Sequence, residues 1–131
     1  LVALASDVTA DYSPFHAKLG RLVNFKKGSF LGRSALKKIS DSGPDCLLCT
    51  FTLKVNAFVN GGEAILYKDR VLGITSSGDF GHSVGKPIVM GYIPSQDIKH
   101  EDYHIEVYGE PIQAIRHDVA VYDPEGRRFR A

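Results

Sequence analysis

The change of pattern at Gly43-Pro44 does most to restrict what this chain can fold into. Before it, Leu31, Ala35, Leu36 and Ile39 recur at helical spacing, with Arg33, Lys37 and Lys38 on the opposite face. Ser29 is the expected N-cap of that helix, and Gly43-Pro44 is its stop signal. A short strand is expected just upstream, at Leu22-Val23-Asn24-Phe25, ended by Lys26-Lys27-Gly28. After Pro44 the helical period disappears. Six short runs fit strands, at 47–53, 64–67, 71–75, 88–93, 103–108 and 112–119. In the fifth, Tyr103, Ile105 and Val107 alternate with His104, Glu106 and Tyr108, the two-residue period of a strand with one buried face. Lys68-Asp69-Arg70 and Gly109-Glu110 are the tight links. Short strands at this spacing, with Gly-rich turns, predict a barrel or sandwich with a small α/β annex at its N-terminus.

The 131 residues suit one compact domain, or one small domain with a piece of another. Lys and Arg number 16 against 15 Asp and Glu, which offers no overall basic excess for binding nucleic acid. No apolar run reaches membrane-spanning length. Two cysteines make no disulfide scaffold, so reduced thiols in a cytosol or mitochondrial matrix are expected. The chain opens at Leu1 without Met and reads as a fragment of something longer. The tail Asp123-Pro124-Glu125-Gly126-Arg127-Arg128 is polar and is expected to be loose.

Several motifs invite chemistry and do not carry it. Cys46 and Cys49 form a CxxC pair, but a separation of three on a strand sends the side chains to opposite faces, so core or edge positions are expected rather than a redox or metal pair. Gly81-His82-Ser83-Val84-Gly85-Lys86 has three residues between its glycines where a phosphate loop needs four, and Pro87 opens a strand instead of a helix. A turn needing left-handed glycine suffices. His100 and His104 would converge on a metal only if helical, and the segment reads as loop then strand. Asp11, Asp79, Asp97 and Asp102 are expected in solvent or turns, and Arg116-His117-Asp118 at a strand end. No catalytic residue and no metal site is read from the sequence.

The order of segments says more. Ser13-Pro14-Phe15-His16-Ala17-Lys18-Leu19-Gly20 precedes Lys27-Gly28-Ser29-Phe30-Leu31-Gly32-Arg33-Ser34-Ala35-Leu36. Gly73-Ile74-Thr75-Ser76-Ser77-Gly78, then Gly85-Lys86-Pro87-Ile88-Val89-Met90-Gly91-Tyr92-Ile93-Pro94, then Tyr108-Gly109-Glu110-Pro111-Ile112-Gln113-Ala114 follow. Together these resemble, in order, the C-terminal region of the glycine cleavage T-protein (aminomethyltransferase) family. The tail from Tyr122 to Arg128 is similar to the endings of FAD-dependent sarcosine and dimethylglycine dehydrogenases.

The resemblance implies a six-stranded antiparallel Greek-key or jelly-roll-like barrel from residue 44 to 131. Residues 1–43 would be the last piece of a central folate-binding domain. It implies tetrahydrofolate as cofactor in a cavity shared with upstream domains of the same chain, and FAD in a missing N-terminal half. Other one-carbon pathway proteins would be partners. The activating carboxylate would lie upstream of Leu1, so the fragment alone would not be catalytic. His16, Tyr12 and Tyr92 are the residues expected to face the ligand. Two departures stand out. His16 occupies a position where the family often has a Glu that pairs with the pterin, and Cys46 stands near a family Arg. A neutral imidazole offers one acceptor where a carboxylate accepts two hydrogen bonds. These departures admit two other expectations: a regulatory module acting through a protein partner, as in the regulatory subunit of pyruvate dehydrogenase phosphatase, or a barrel serving only to pack against its own upstream domains.

Overall fold

A computed structural model describes residues 2–128 and 130. Six strands form after Pro44: β1 (Cys46–Leu53), β2 (Ala64–Tyr67), β3 (Arg70–Gly81), β4 (Lys86–Pro94), β5 (Tyr103–Val107) and β6 (Glu110–His117). They close into a barrel in the order β1-β4-β3-β2-β5-β6, every neighbour antiparallel. Strands β2, β3 and β4 are consecutive hairpins, and β1 lies beside β4, which is the Greek-key return. Closure leaves no sheet edge to be capped.

The hairpins follow from residues that tolerate positive φ. Lys68 (φ 53°) turns β2 into β3, Gly85 (φ 71°) ends the β3–β4 turn, and Tyr108 with Gly109 (φ 52° and 84°) joins β5 to β6. Alternation then fills the interior. Tyr103, Ile105 and Val107 of β5 point inward beside Cys49, Phe51 and Leu53 of β1, and the Tyr103 ring meets Phe51 edge-on at 5.3 Å. Each large apolar side chain so enclosed contributes about 1.5–3 kcal/mol from water exclusion.

Strand β3 is far longer than the expected 71–75. Ser76, Ser77 and Gly78 look like turn residues, yet β4 is nine residues long and supplies hydrogen-bonding partners as far as Gly81. A bulge between Thr75 and Ser77 absorbs the twist. Asp97, expected in solvent or a turn, ends the single-turn 3-10 helix Ser95–Asp97 and is buried. Its carboxylate takes Arg70 Nη2 at 2.5 Å and His100 Nε2 at 2.9 Å, and its carbonyl accepts the Tyr103 hydroxyl at 2.5 Å. His100 and His104 do not share a partner: His104 lies 4.0 Å from Asp102.

The N-terminal annex differs more. The strand expected at 22–25 does not form. Two single-turn 3-10 helices, Gly20–Leu22 and Phe25–Lys27, stand there instead, because no neighbouring strand supplies a ladder and the Asn24 side chain accepts the Lys26 N–H at 2.9 Å. The helix α1 (Arg33–Ser42) begins at left-handed Gly32 (φ 82°), not at Ser29, and no side chain caps it. Gly43 (φ 78°) ends it. None of its residues is buried, and Leu31 just before it is fully exposed. Among the described residues no helix is long and apolar enough to cross a membrane. The tail is not loose throughout: the Asp123 carboxylate accepts the N–H groups of Arg127 at 2.8 Å and Arg128 at 3.0 Å.

Candidate functional site

Annex and barrel meet where β1 begins and β4 ends. The Leu48 N–H donates to the His16 carbonyl at 2.9 Å, and Ala17 is buried against the barrel. Ser95 fastens the start of β1, its N–H donating to the Asp45 carbonyl at 2.8 Å and its hydroxyl to that of Pro44 at 2.6 Å. On the other flank the buried Asp7 is the anchor. Its carboxylate accepts the Ala3 N–H at 2.8 Å, the Ser77 hydroxyl at 2.7 Å and the Ser76 hydroxyl. These bonds explain the polar Ser76-Ser77 pair inside a strand.

Between these anchors lies a cleft of about 610 Å³. Its walls are Ser6, Thr9, Asp11 and Tyr12 from the annex, Asp45 and Cys46 at the start of β1, residues 72–76 of β3, and Tyr92–Pro94 of β4. Gly73 is required here: a Cβ would sit 2.2 Å from the Tyr92 carbonyl oxygen. Tyr12 and Tyr92, both expected to face a ligand, come together as a parallel stack at 3.6 Å, leaving Tyr12 the outer ring. Tyr92 is buried and its hydroxyl donates to the Asp7 carbonyl at 2.7 Å. Burial, then the neighbouring Tyr12, Cys46 and Asp7, pushes its pKa up to about 12, so it stays a donor. Burial and the acidic groups of Cys46, Asp11 and Asp45 raise Tyr12 as well.

His16 sits behind the wall rather than in it. Its side chain is only 14% exposed, and both ring nitrogens are engaged. Nδ1 accepts the Ser13 N–H at 3.1 Å and lies 2.7 Å from the Ser13 hydroxyl. A backbone N–H can only donate, so Nδ1 is bare and the proton resides on Nε2, which donates to Asp45 Oδ1 at 2.9 Å. The Asp45 side chain is 91% exposed. The hydrogen bond from His16 lowers its carboxyl below the usual range. Burial, helped by the Asp45 charge, raises the Cys46 thiol.

His16, Asp45 and Cys46 offer three potential metal-ligand atoms within 4.8 Å of one another, a grouping that linear spacing does not reveal. Two features oppose a metal there. Nε2 could bind an ion only if Nδ1 took the proton, which would set it against the Ser13 N–H. The raised Cys46 thiol resists becoming the thiolate a soft metal needs. The arrangement suits hydrogen-bond acceptance instead: one tyrosine face, a fixed carboxylate and a second carboxylate, Asp11, in one cleft. Cys49, the other half of the CxxC pair, lies fully buried in the barrel core.

Nothing local in the sequence marks Asp7 and Asp45, and Ser13 stands out only as the first residue of a family-like run. The signals that point to His16 and Tyr92 are family motifs, and Tyr12 is singled out as an aromatic ring able to stack on a planar ligand.

Comparison with known proteins is consistent across sequence and structure. The family model described as the glycine cleavage T-protein C-terminal barrel domain matches residues 47–123. The aminomethyltransferase of Prochlorococcus marinus (strain NATL1A) is 31% identical over 112 residues, covering 84% of this chain and 30% of that protein. The mitochondrial dimethylglycine dehydrogenase of Mus musculus is 29% identical over 133 residues, covering 98% of this chain and 15% of the dehydrogenase. The crystal structure of glycine cleavage system aminomethyltransferase T from Bartonella henselae superposes with a TM-score of 0.84 at 25% identity, covering 95% of this chain and 36% of that one. The chain therefore spans about a third or less of the length of the curated relatives it matches. With a matched closed barrel and these relatives, the chain belongs to the glycine cleavage T-protein C-terminal barrel domain family.

Proposed function

We propose that this chain forms one wall of a tetrahydrofolate site in a longer one-carbon-transfer polypeptide, with the annex–barrel cleft as that wall. The observation that carries this reading is the cleft itself: an outward tyrosine ring for stacking on a planar heterocycle, beside carboxylates that accept N–H bonds. The pyrimidinone ring of tetrahydrofolate is planar and rich in such donors, so Tyr12 and Asp45 fit it. When bound, folate would supply the acceptor for the one-carbon unit. Tyr92 backs Tyr12 and His16 holds Asp45. The group that activates the transfer would belong to the upstream part of that polypeptide.

A flavin-linked parent of the dimethylglycine or sarcosine dehydrogenase kind is favoured over a free aminomethyltransferase. The mouse dehydrogenase aligns with 98% of this chain, against 84% for the cyanobacterial transferase. FAD would then belong to an upstream half, and a mitochondrial matrix location would follow that relative. Residues 1–43 would complete an upstream folate-binding domain and 44–131 would be the barrel domain. Exposed Leu22 and Leu31, on an annex bearing Lys26, Lys27, Arg33, Lys37 and Lys38, offer the upstream domains an apolar and cationic contact face.

Isothermal titration of the full-length protein with tetrahydrofolate tests this directly. Saturable binding near micromolar is expected, and its absence would remove the reading. One observation favours a second reading, a module that acts through a protein partner: both His16 ring nitrogens are already occupied within the chain, and Cys46 supplies no charge. Affinity capture with the full-length protein, recovering a stoichiometric partner while folate fails to bind, would select that reading.

A further inference from the structure

We propose that Asn60 is a site of spontaneous deamidation in this chain, and that the Glu63 carboxylate holds it latent by binding the neighbouring Gly61 amide. The site lies in the loop between β1 and β2, and the fold demands a glycine after Asn60. Gly61 adopts φ 102°, and a Cβ on it would lie 3.0 Å from the Ser76 carbonyl oxygen of β3, so a side chain there would be both strained and crowded. Asn60 is exposed, which leaves its side-chain amide open to attack and to water. An amide nitrogen with no side chain behind it approaches the preceding asparagine with little hindrance. The fold therefore places a chemically labile step on its own surface.

The reaction needs only water as co-reactant. The Gly61 amide gives up its proton, and its nitrogen forms a bond to Asn60 Cγ. The Cγ–Nδ2 bond breaks, and that nitrogen leaves as ammonia with the proton. Water then opens the cyclic imide at either carbonyl, leaving aspartate or isoaspartate. In the folded chain the nucleophile is tied up. The Gly61 N–H donates to Glu63 Oε2 at 3.0 Å and Oε1 at 3.3 Å, and the Asn60 N–H donates to Oε1 at 2.8 Å. The Thr75 hydroxyl fixes the same carboxylate. Two further bonds lock the turn onto β3: the Gly62 N–H donates to the Thr75 carbonyl and the Thr75 N–H to the Glu63 carbonyl, each at 2.8 Å. Burial pushes the Glu63 carboxyl up, but the hydrogen bonds from Thr75, Asn60 and Gly61 outweigh it and hold it below the usual carboxylate range. A carboxylate so weakly basic cannot take the amide proton, and its charge opposes an anion forming beside it. Val59, one residue earlier, packs in the barrel core against Gly78. Isoaspartate adds a backbone atom to the turn and would pull on that core residue.

The test incubates the full-length protein at physiological pH and temperature. Residue 60 is followed by peptide mapping in a mass spectrometer, and isoaspartate is counted by enzymatic methylation. A synthetic peptide of residues 58–66 supplies the unguarded rate. Folded wild type is expected to convert at least about tenfold more slowly than the peptide, the rate equivalent of one charge-assisted hydrogen bond. Glu63→Ala should raise the rate in the folded protein by about that factor. Glu63→Gln fills the same space without the charge and should fall between, which keeps the comparison decisive where Glu63→Ala lowers the melting temperature. A peptide that does not convert at residue 60 would remove the site. Folded wild type converting as fast as the peptide would overturn its latency. Slow conversion in wild type and equally slow conversion in both folded Glu63 variants would overturn the role given to Glu63.

Discussion

Tyr92 and Asp7 are joined by a hydrogen bond of 2.7 Å, the phenol donating to a main-chain carbonyl 85 positions earlier. The Asp7 carboxylate turns the other way and collects Ser76, Ser77 and the Ala3 N–H. One residue thus ties the N-terminal segment to both β3 and β4 and closes one side of the cleft.

Removing that tie should be costly. Asp7→Ala leaves the Ser77 hydroxyl and the Ala3 amide without this acceptor and the Ser76 hydroxyl with only the Met90 carbonyl at 3.2 Å, and we expect a loss of about 2–4 kcal/mol in urea unfolding. Tyr92→Phe removes one neutral hydrogen bond and should cost only about 1 kcal/mol. If Asp7→Ala unfolds at the wild-type midpoint, the anchor contributes nothing.

Alkaline pH should weaken the same junction. Tyr92 is raised to about 12 in the folded chain, against an ordinary 10 once unfolded. The protonated form is favoured by folding, so its contribution is complete below pH 10 and disappears as pH rises through about 12. The full effect is roughly 2–3 kcal/mol. Melting temperatures across that range should fall in wild type and fall less in Tyr92→Phe.

Acid should act elsewhere. Burial pushes the Asp97 carboxyl up, but the hydrogen bonds from His100 and Arg70 outweigh it and leave it below the usual carboxylate range. A lowered folded value means stability that is present above the unfolded carboxyl range and lost as pH falls through the folded one. Asp97→Asn should therefore lower the melting temperature at neutral pH and flatten its decline in acid. An unchanged acid slope would count against this.

Gly73→Ala is the steric prediction. With the Tyr92 carbonyl oxygen 2.2 Å from the added carbon, backbone must move. A loss of about 1–3 kcal/mol is expected. Because the displaced carbonyl belongs to a cleft residue, ligand affinity should drop too. Wild-type stability in the variant would show that the β3–β4 pair can separate freely.

The barrel was legible where physics is local. Tyr103, Ile105 and Val107 follow a two-residue period, and all three are buried. Lys68 and Gly109 stand at turns that need their conformations. What could not be read depended on distant partners. Ser76 and Ser77 belong to a strand only because β4 continues beside them and Asp7 satisfies their hydroxyls. Asp97 is buried only because Arg70, 27 positions away, reaches it. Leu22–Phe25 had strand-like composition but no sheet to join. At the annex–barrel junction, family likeness singles out Tyr92 and His16, and Tyr12 enters as an aromatic ring able to stack on a ligand. The carboxylate of Asp45 emerges only once β1 is set beside the annex.

The bare flank of α1 has a practical meaning. A ten-residue helix that encloses none of its own side chains sits near the margin at which helices melt in water. Its amides should therefore trade protons with solvent quickly whenever nothing lies over them, and slowly once a neighbouring surface does. The segment is a natural gauge of assembly: deuterium uptake at Arg33–Ser42 would register the arrival of whatever covers it, while the cylinder of strands beside it stays silent.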